Sequence, residues 1–292
     1  MDKVYVIAGP TASGKTAYGI HMAKELGGEV ISADSMQVYQ GMDIGTATPT
    51  PAEMDGIPHH MLSIVSPRED FSVKEYTAQA TQVIQAVLDR GKTPIIVGGT
   101  GFYINALIKG TSFEENPEDM AVREQYLKLA ETHGVEFVHQ KLQAIDPVYA
   151  KDLHPNNVKK VVRAIAFYET TGTPLSAHNA SQKADGFKYD VDFKVIAPPR
   201  EVLYTRINQR VIHMWEDGLV GEVEALLAQE VSPHATAMQA IGYKEVVAYI
   251  NGTATKADTI AQIQQASRNY GKRQETWFRH QVKTKEIICI PK

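Results

Sequence analysis

Apolar residues recur along this chain in two periods, and the alternation between them predicts its layout. Short β-branched runs at Lys3 to Ala8, Glu29 to Ala33 and Pro94 to Val97 read as strands, whereas Lys15 to Leu26 and Val73 to Asp89 carry the 3.6-residue period of helices. Strands alternating with helices are the pattern of a parallel sheet covered on both faces. Each of these strands ends in glycine, serine or aspartate, and ligands of such sheets sit at the carboxyl ends of the strands. From about Glu114 to Asp190 no strand pattern occurs, while Pro117 to Thr132 and Asn157 to Thr170 are helix-compatible. The strand pattern resumes at Phe193 to Ala197, followed by Pro198 and Pro199, a charged helix from Glu201 to about Trp215, a helical stretch from Thr259 to Thr284 and a last strand at Ile287 to Ile290. The expectation is an α/β core in two parts, residues 1–113 and 191–292, interrupted by an all-helical insertion over 114–190.

Composition narrows the class. At 292 residues, 43% hydrophobic and 22% charged, the chain holds enough apolar material for a sizeable core. The opening apolar run, Val4 to Ala8, is too short for a signal segment and no later run reaches membrane-span length, so a cytoplasmic protein without a membrane partner is expected; a monomer is the default expectation, which no residue pattern decides. The single cysteine, Cys289, reads as a packed strand residue, and His59-His60, lacking partners at ligand spacing, as a loop feature. A net charge of −4 argues against a uniformly basic nucleic-acid binder but leaves local patches open.

The first chemical signal is Gly9-Pro10-Thr11-Ala12-Ser13-Gly14-Lys15-Thr16, which matches GxxxxGK[ST] between a predicted strand and a predicted helix. That context makes it a phosphate-binding loop of the P-loop NTPase-like, nucleotide-kinase-like class. Backbone N–H groups would face phosphate oxygens with the helix N-terminus behind them, Lys15 would reach the terminal phosphate, and the Thr16 hydroxyl would meet Mg²⁺. The loop does not specify the reaction. No NKxD base-reading motif and no evident Walker B carboxylate accompany it, which leaves a small-molecule kinase or an enzyme that holds a departing pyrophosphate.

Beyond the second strand, Asp34 and Ser35 fall on the edge where the phosphate loop opens. A carboxylate there is either a general base or metal partner, or a cap for the following turn. Asp34-Ser35-Met36-Gln37-Val38-Tyr39 after GPTASGKT, then Gly98-Gly99-Thr100-Gly101-Phe102-Tyr103, Gln239 to Glu245, and Arg268-Asn269-Tyr270 through Lys272-Arg273-Gln274 to Trp277-Phe278-Arg279 together resemble the bacterial tRNA dimethylallyltransferase family, in order and over nearly the whole chain.

That resemblance implies transfer of a dimethylallyl group from dimethylallyl diphosphate to the exocyclic amine of the adenosine just 3′ of the tRNA anticodon, giving N6-isopentenyladenosine and pyrophosphate without ATP. It gives Asp34 the role of base, Lys15 and Mg²⁺ at Thr16 that of stabilising the leaving group, and Thr100 a place at the substrate; from the residues alone Thr100 reads first as a helix cap. Ser35, Met36 and Gln37 would face the target base, which must be flipped out to reach the site. It further implies that Arg123, Lys159, Lys160, Arg163, Gln239, Gly242 and Tyr243 meet the anticodon stem-loop. Lys159, Lys160 and Arg163 share one helical face by spacing; family members commonly carry glutamine and arginine at the two lysine positions, and bidentate arginine contacts do not carry over to lysine. The stretch Ser267 to Lys285 holds six cations against Glu275, with Tyr270, Trp277 and Phe278 interleaved, as suits either RNA or packing onto the core. The competing readings are an ATP-dependent small-metabolite kinase and a non-catalytic RNA-binding module.

Overall fold

The computed structural model describes residues 1–111, 118–184, 186–282 and 286–288. In chain order the first compact unit opens with β1 (Lys3–Ala8), α1 (Lys15–Leu26), β2 (Gly28–Ser32), α2 (Pro51–Met54), β3 (His59–His60), α3 (Val73–Asp89), β4 (Thr93–Gly98) and α4 (Gly101–Lys109). The second unit, Thr111–Gly186, is helical: α5 (Glu118–His133), α6 (Val135–Ile145), α7 (Pro147–Lys151), α8 (Val158–Thr171) and α9 (Leu175–Ala184). The chain then returns to the first unit with β5 (Asp190–Ile196), α10 (Arg200–Glu216), α11 (Leu219–Ala228), α12 (Tyr243–Ile250), α13 (Lys256–Gln281) and β6 (Glu286–Ile288).

The six strands form one parallel sheet in the order β3-β2-β4-β1-β5-β6. Strand alternation explains its two buried faces. Val4, Val6 and Ala8 of β1 share a cluster with Ile31, Ile96, Phe193 and the α3 and α4 residues Tyr76, Ile84 and Ile104, while Ile7 joins Val30, Ile95, Val97 and Ile196 on the opposite face. There α1 lies so close that a Cβ on Gly19 would stand 2.5 Å from Val97 Cγ2. Because β1 connects to β2 on one side and has β5 on the other, the crevice beyond its carboxyl end is the topological switch point of the sheet. A further apolar cluster, including Val38, Met42, Val211, Leu226, Tyr243 and Ile263, joins α10 to α13 with the chain that follows β2.

The histidine pair differs from expectation: it forms β3, a two-residue edge strand in register with Val30 and Ile31. It is held there by chemistry rather than by apolar alternation. His60 Nε2 lies 2.6 Å from Glu29 Oε2, Arg90 Nη2 reaches the same oxygen at 2.6 Å, and the Arg90 hydrogen bond, ahead of that from His60, keeps this buried carboxyl below its ordinary pKa. Cys289, Lys283 and Lys285 lie outside the described residues.

Within the helical unit, Val138, Leu142, Val161, Ile165 and Phe167 form the centre of a core. Asp146 ties two turns together, accepting the Tyr149 N–H at 3.0 Å and the Ser176 N–H at 2.8 Å.

Candidate active site

The loop between β1 and α1 is shaped by its small residues. Gly14 takes φ 92°, and Ala12 also adopts positive φ at 61°, while a Cβ on Gly9 would stand 2.7 Å from the Ile196 carbonyl oxygen. These turns expose the start of α1 to the crevice, and the Ser13 hydroxyl is buried without a partner among the described residues. Lys15 Nζ folds back on the Pro10 carbonyl at 3.3 Å. Burial lowers the Lys15 pKa to about 8, with the charge of Asp34 opposing and that of Arg210 adding to the shift.

At the ends of β2 and β4 the chain brings Asp34 and Thr100 together through Ser35. Asp34 Oδ1 accepts the Met36 N–H at 3.0 Å, so this carboxylate does cap its turn, and Oδ2 makes no hydrogen bond among the described residues. Thr100 precedes α4 yet makes no side-chain cap bond; its Oγ1 accepts the Ser35 N–H at 3.1 Å instead. Gln37 points away from open solvent, accepting the Ser32 hydroxyl and donating to the Thr46 and Ala47 carbonyls at 3.2 and 3.1 Å. The closeness of the β2 and β4 ends depends on Gly98, whose Cβ would lie 2.2 Å from the Ala33 carbonyl oxygen.

These groups line three cavities that share walls. The largest, about 950 Å³, is bounded by Ala12 to Thr16, Thr48 to Thr50, Glu53 and Arg210. A small one of about 60 Å³ holds Lys15, Thr16, Asp34, Gln37, His59 and Arg210. The third, about 310 Å³, is lined by Asp34, Ser35, Met36, Gln239, Tyr270 and Arg273 with the apolar Ile207, Val211, Met214 and Ile241. Ala47 and Arg210 border all three, so the phosphate-loop side and the Asp34 side adjoin.

Arg210 stands outside the residues that the sequence singles out. It lies on α10, its Nη1 is 3.5 Å from Thr11 Oγ1, and burial lowers its pKa against the opposing charge of Glu53. One turn earlier, Arg206 reaches the Ser13 carbonyl. The four-residue spacing within the charged helix is the available signal; its direction toward the loop is set only by tertiary packing.

The expected RNA-contact residues divide into three groups. Lys159, Lys160 and Arg163 are exposed on α8, opposite its buried Val161, Val162 and Ile165. Arg123 is half-buried, donating to Asp119, which also accepts from Thr170. Gln239 is exposed and Gly242 takes φ 103°, but Tyr243 is fully buried. Its hydroxyl donates to Glu222 Oε1 at 2.5 Å, and its ring occupies the space where a Gly45 Cβ would sit, 2.4 Å away. Tyr243 therefore supports the 43–45 loop from behind and presents no surface to a ligand. Glu222 completes that support by accepting the N–H groups of Asp43, Ile44 and Gly45 at 2.8, 2.7 and 3.0 Å.

Comparison with known proteins adds an independent constraint. A family model described as IPP transferase matches residues 37–281, a span that begins after the phosphate loop and Asp34. A tRNA dimethylallyltransferase of Bacillus cereus is 47% identical over 281 residues, covering 96% of this chain and 88% of the relative. The crystal structure of a tRNA isopentenylpyrophosphate transferase from Staphylococcus epidermidis aligns with TM-score 0.72 at 43% identity, over 99% of this chain and 93% of that one. A eukaryotic dimethylallyltransferase whose structures show it acting on tRNA aligns with TM-score 0.81 at 30% identity, over 95% of this chain and 70% of that one.

Proposed function

We propose, from the premise that this chain belongs to the IPP transferase family, that it transfers the dimethylallyl group of dimethylallyl diphosphate to the N6 amine of the adenosine 3′ of the anticodon in tRNA, releasing pyrophosphate. The observation that carries this reading is that the phosphate-loop cavities and the acceptor-side cavity adjoin, with Asp34 lining both the small cavity that holds Lys15 and the one beyond it. A kinase needs its nucleotide's phosphates at the loop and an acceptor hydroxyl at the same point, and the family membership argues against that chemistry.

In this reading the C–O bond at the allylic carbon breaks and its electron pair leaves with the diphosphate. Charge then grows on oxygens cradled by the loop's N–H groups, with Lys15 and Arg210 at the same wall. The adenine amine is a weak nucleophile because its lone pair is delocalised into the ring. It forms the new C–N bond as its proton passes to Asp34, whose Oδ2 is the oxygen not engaged by Met36. Thr100 Oγ1 accepts the Ser35 N–H and donates to Ser35 Oγ at 3.5 Å, which holds Ser35 beside Asp34 on the acceptor side. The Thr16 hydroxyl offers a hard oxygen donor in the small cavity, which fits Mg²⁺. When bound, that ion would share the charge of the diphosphate.

No helix among the described residues is long and apolar enough to cross a membrane, and the reading is of a cytoplasmic monomer that takes the anticodon stem-loop. Lys159, Lys160 and Arg163 supply phosphate contacts from the helical unit. The test is to incubate the protein with Mg²⁺, dimethylallyl diphosphate and unmodified tRNA in the absence of ATP, and to digest the RNA to nucleosides. Adenosine heavier by one dimethylallyl unit supports the reading; unmodified tRNA, with ATP consumed in a parallel reaction on small metabolites, overturns it.

A further inference from the structure

The diphosphate side and the acceptor side of this site are carried by loops that follow different strands, β1 and β4. One side chain from a third element bonds to both. Gln274 Oε1, on α13, accepts the Thr11 N–H of the phosphate loop at 2.9 Å, and its Nε2 donates to the Gly99 carbonyl at 2.9 Å. Gln274 is only 5% exposed. The approach requires glycine at position 99, since a Cβ there would lie 2.3 Å from Gln274 Nε2. One turn earlier on α13, Tyr270 sets its hydroxyl against the side chains of both Thr100 and Gln274. Thr100 in turn receives the Ser35 N–H, next to Asp34. Gln274 thus bonds the loops after β1 and β4 to each other, and Thr100, next after Gly99, bonds on to Ser35.

Losing the amide would leave the Thr11 N–H and the Gly99 carbonyl without this partner and cost some stability, but that cost alone would not touch the rate of transfer. What two bonds to two backbone groups do supply is a fixed distance between the loops that own them. We propose that Gln274 is a positioning residue that sets the spacing between the diphosphate cradle and the Asp34–Thr100 side. The inference rests on the transferase reading and goes beyond it: each substrate's own contacts stay intact without Gln274, and what is lost is their mutual alignment. A misplacement of about 1 Å between reacting groups costs on the order of 10²-fold in rate.

Q274M tests this, since it preserves the volume of the side chain while removing both bonds; Q274A is the second variant. Steady-state transfer to tRNA gives kcat and both KM values, calorimetry gives the affinity for magnesium pyrophosphate, and melting gives Tm. The expected result is kcat lower by about 30- to 100-fold, with both KM values and the pyrophosphate affinity close to those of the unaltered protein and a Tm lower by roughly 2–8 °C from the two orphaned backbone groups. In a Thr100→Ala background the further loss from Q274M shrinks to a few-fold, because the group that Gln274 aligns is already gone. An unchanged kcat, a loss confined to KM, an undiminished effect in the Thr100→Ala background, or a Q274M chain that does not fold would each overturn the proposal. Inactivity of the unaltered protein instead overturns the transferase reading, and this proposal with it.

Discussion

Lys15 provides a sharp test of the phosphate site because its charge is set by its surroundings. Burial brings its pKa to about 8, well under the usual lysine value of about 10.4. At pH 7 roughly nine-tenths of the free protein carries the charge, and at pH 9 only about one-tenth does. A diphosphate arriving beside the amine favours the charged form, so binding above pH 8 must draw a proton from solvent. Affinity for magnesium pyrophosphate should therefore fall by about tenfold from pH 7 to pH 9, with uptake at pH 9 approaching one proton. The assay is calorimetry in buffers of different ionisation enthalpy, compared with Lys15→Arg, which keeps its charge throughout and shows neither effect from this position. Equal proton uptake in the two proteins would refute the placement of Lys15 against the ligand. In the empty protein the sign reverses for folding. A native pKa below the unfolded one means that the native state holds fewer protons between about pH 8 and 10.4, so the cost of burying this lysine is fully present at pH 7 and is relieved as pH rises through that window.

Three further outcomes are expected. Tyr243→Phe leaves Glu222 with one bond fewer behind the 43–45 loop and should lower stability by about 1–3 kcal/mol in a denaturant melt; a Tyr243 that meets RNA directly would instead raise the KM for tRNA with stability unchanged. Gly98→Ala forces a Cβ against the Ala33 carbonyl, costing about 1–3 kcal/mol, and an unchanged Tm would show that the β2 and β4 ends can separate freely. Replacing Lys159, Lys160 and Arg163 by alanine should raise the KM for tRNA and flatten its salt dependence by about one unit of slope for each phosphate no longer neutralised, leaving pyrophosphate affinity as it was; an unaltered slope would remove α8 from the RNA surface.

What can be read from the sequence is what local order encodes. The phosphate loop, the strands β1, β2 and β4, and the placing of Asp34 and Thr100 at strand ends follow from short-range pattern, because a buried parallel strand and a glycine-rich turn are specified by neighbouring residues. β3 is not legible there: two histidines give no alternation, and the strand exists through pairing with Val30 and Ile31 and through the Glu29 carboxylate. The sequence leaves Asp34 between cap and functional group, and the structure shows that the carboxylate does the first with one oxygen while the other has no hydrogen bond among the described residues. The Thr100 alternative resolves differently, since its hydroxyl turns to Ser35 instead of α4. Arg210 and Gln274 reach the site from helices nearly two hundred residues or more beyond the loop they touch. Nothing in their own neighbourhoods marks them, because direction across a packed helix is a tertiary property.

The measurement that bears most directly on the central claim is transfer of radiolabel from dimethylallyl diphosphate to tRNA, with Asp34→Ala beside the unaltered protein. The account predicts label in the adenosine 3′ of the anticodon, formed with Mg²⁺ and without ATP, and a loss of about 10²- to 10⁴-fold in kcat for Asp34→Ala with pyrophosphate affinity little changed. Label transferred equally well by Asp34→Ala would contradict the assignment of the base, and no label with either protein would contradict the transferase itself.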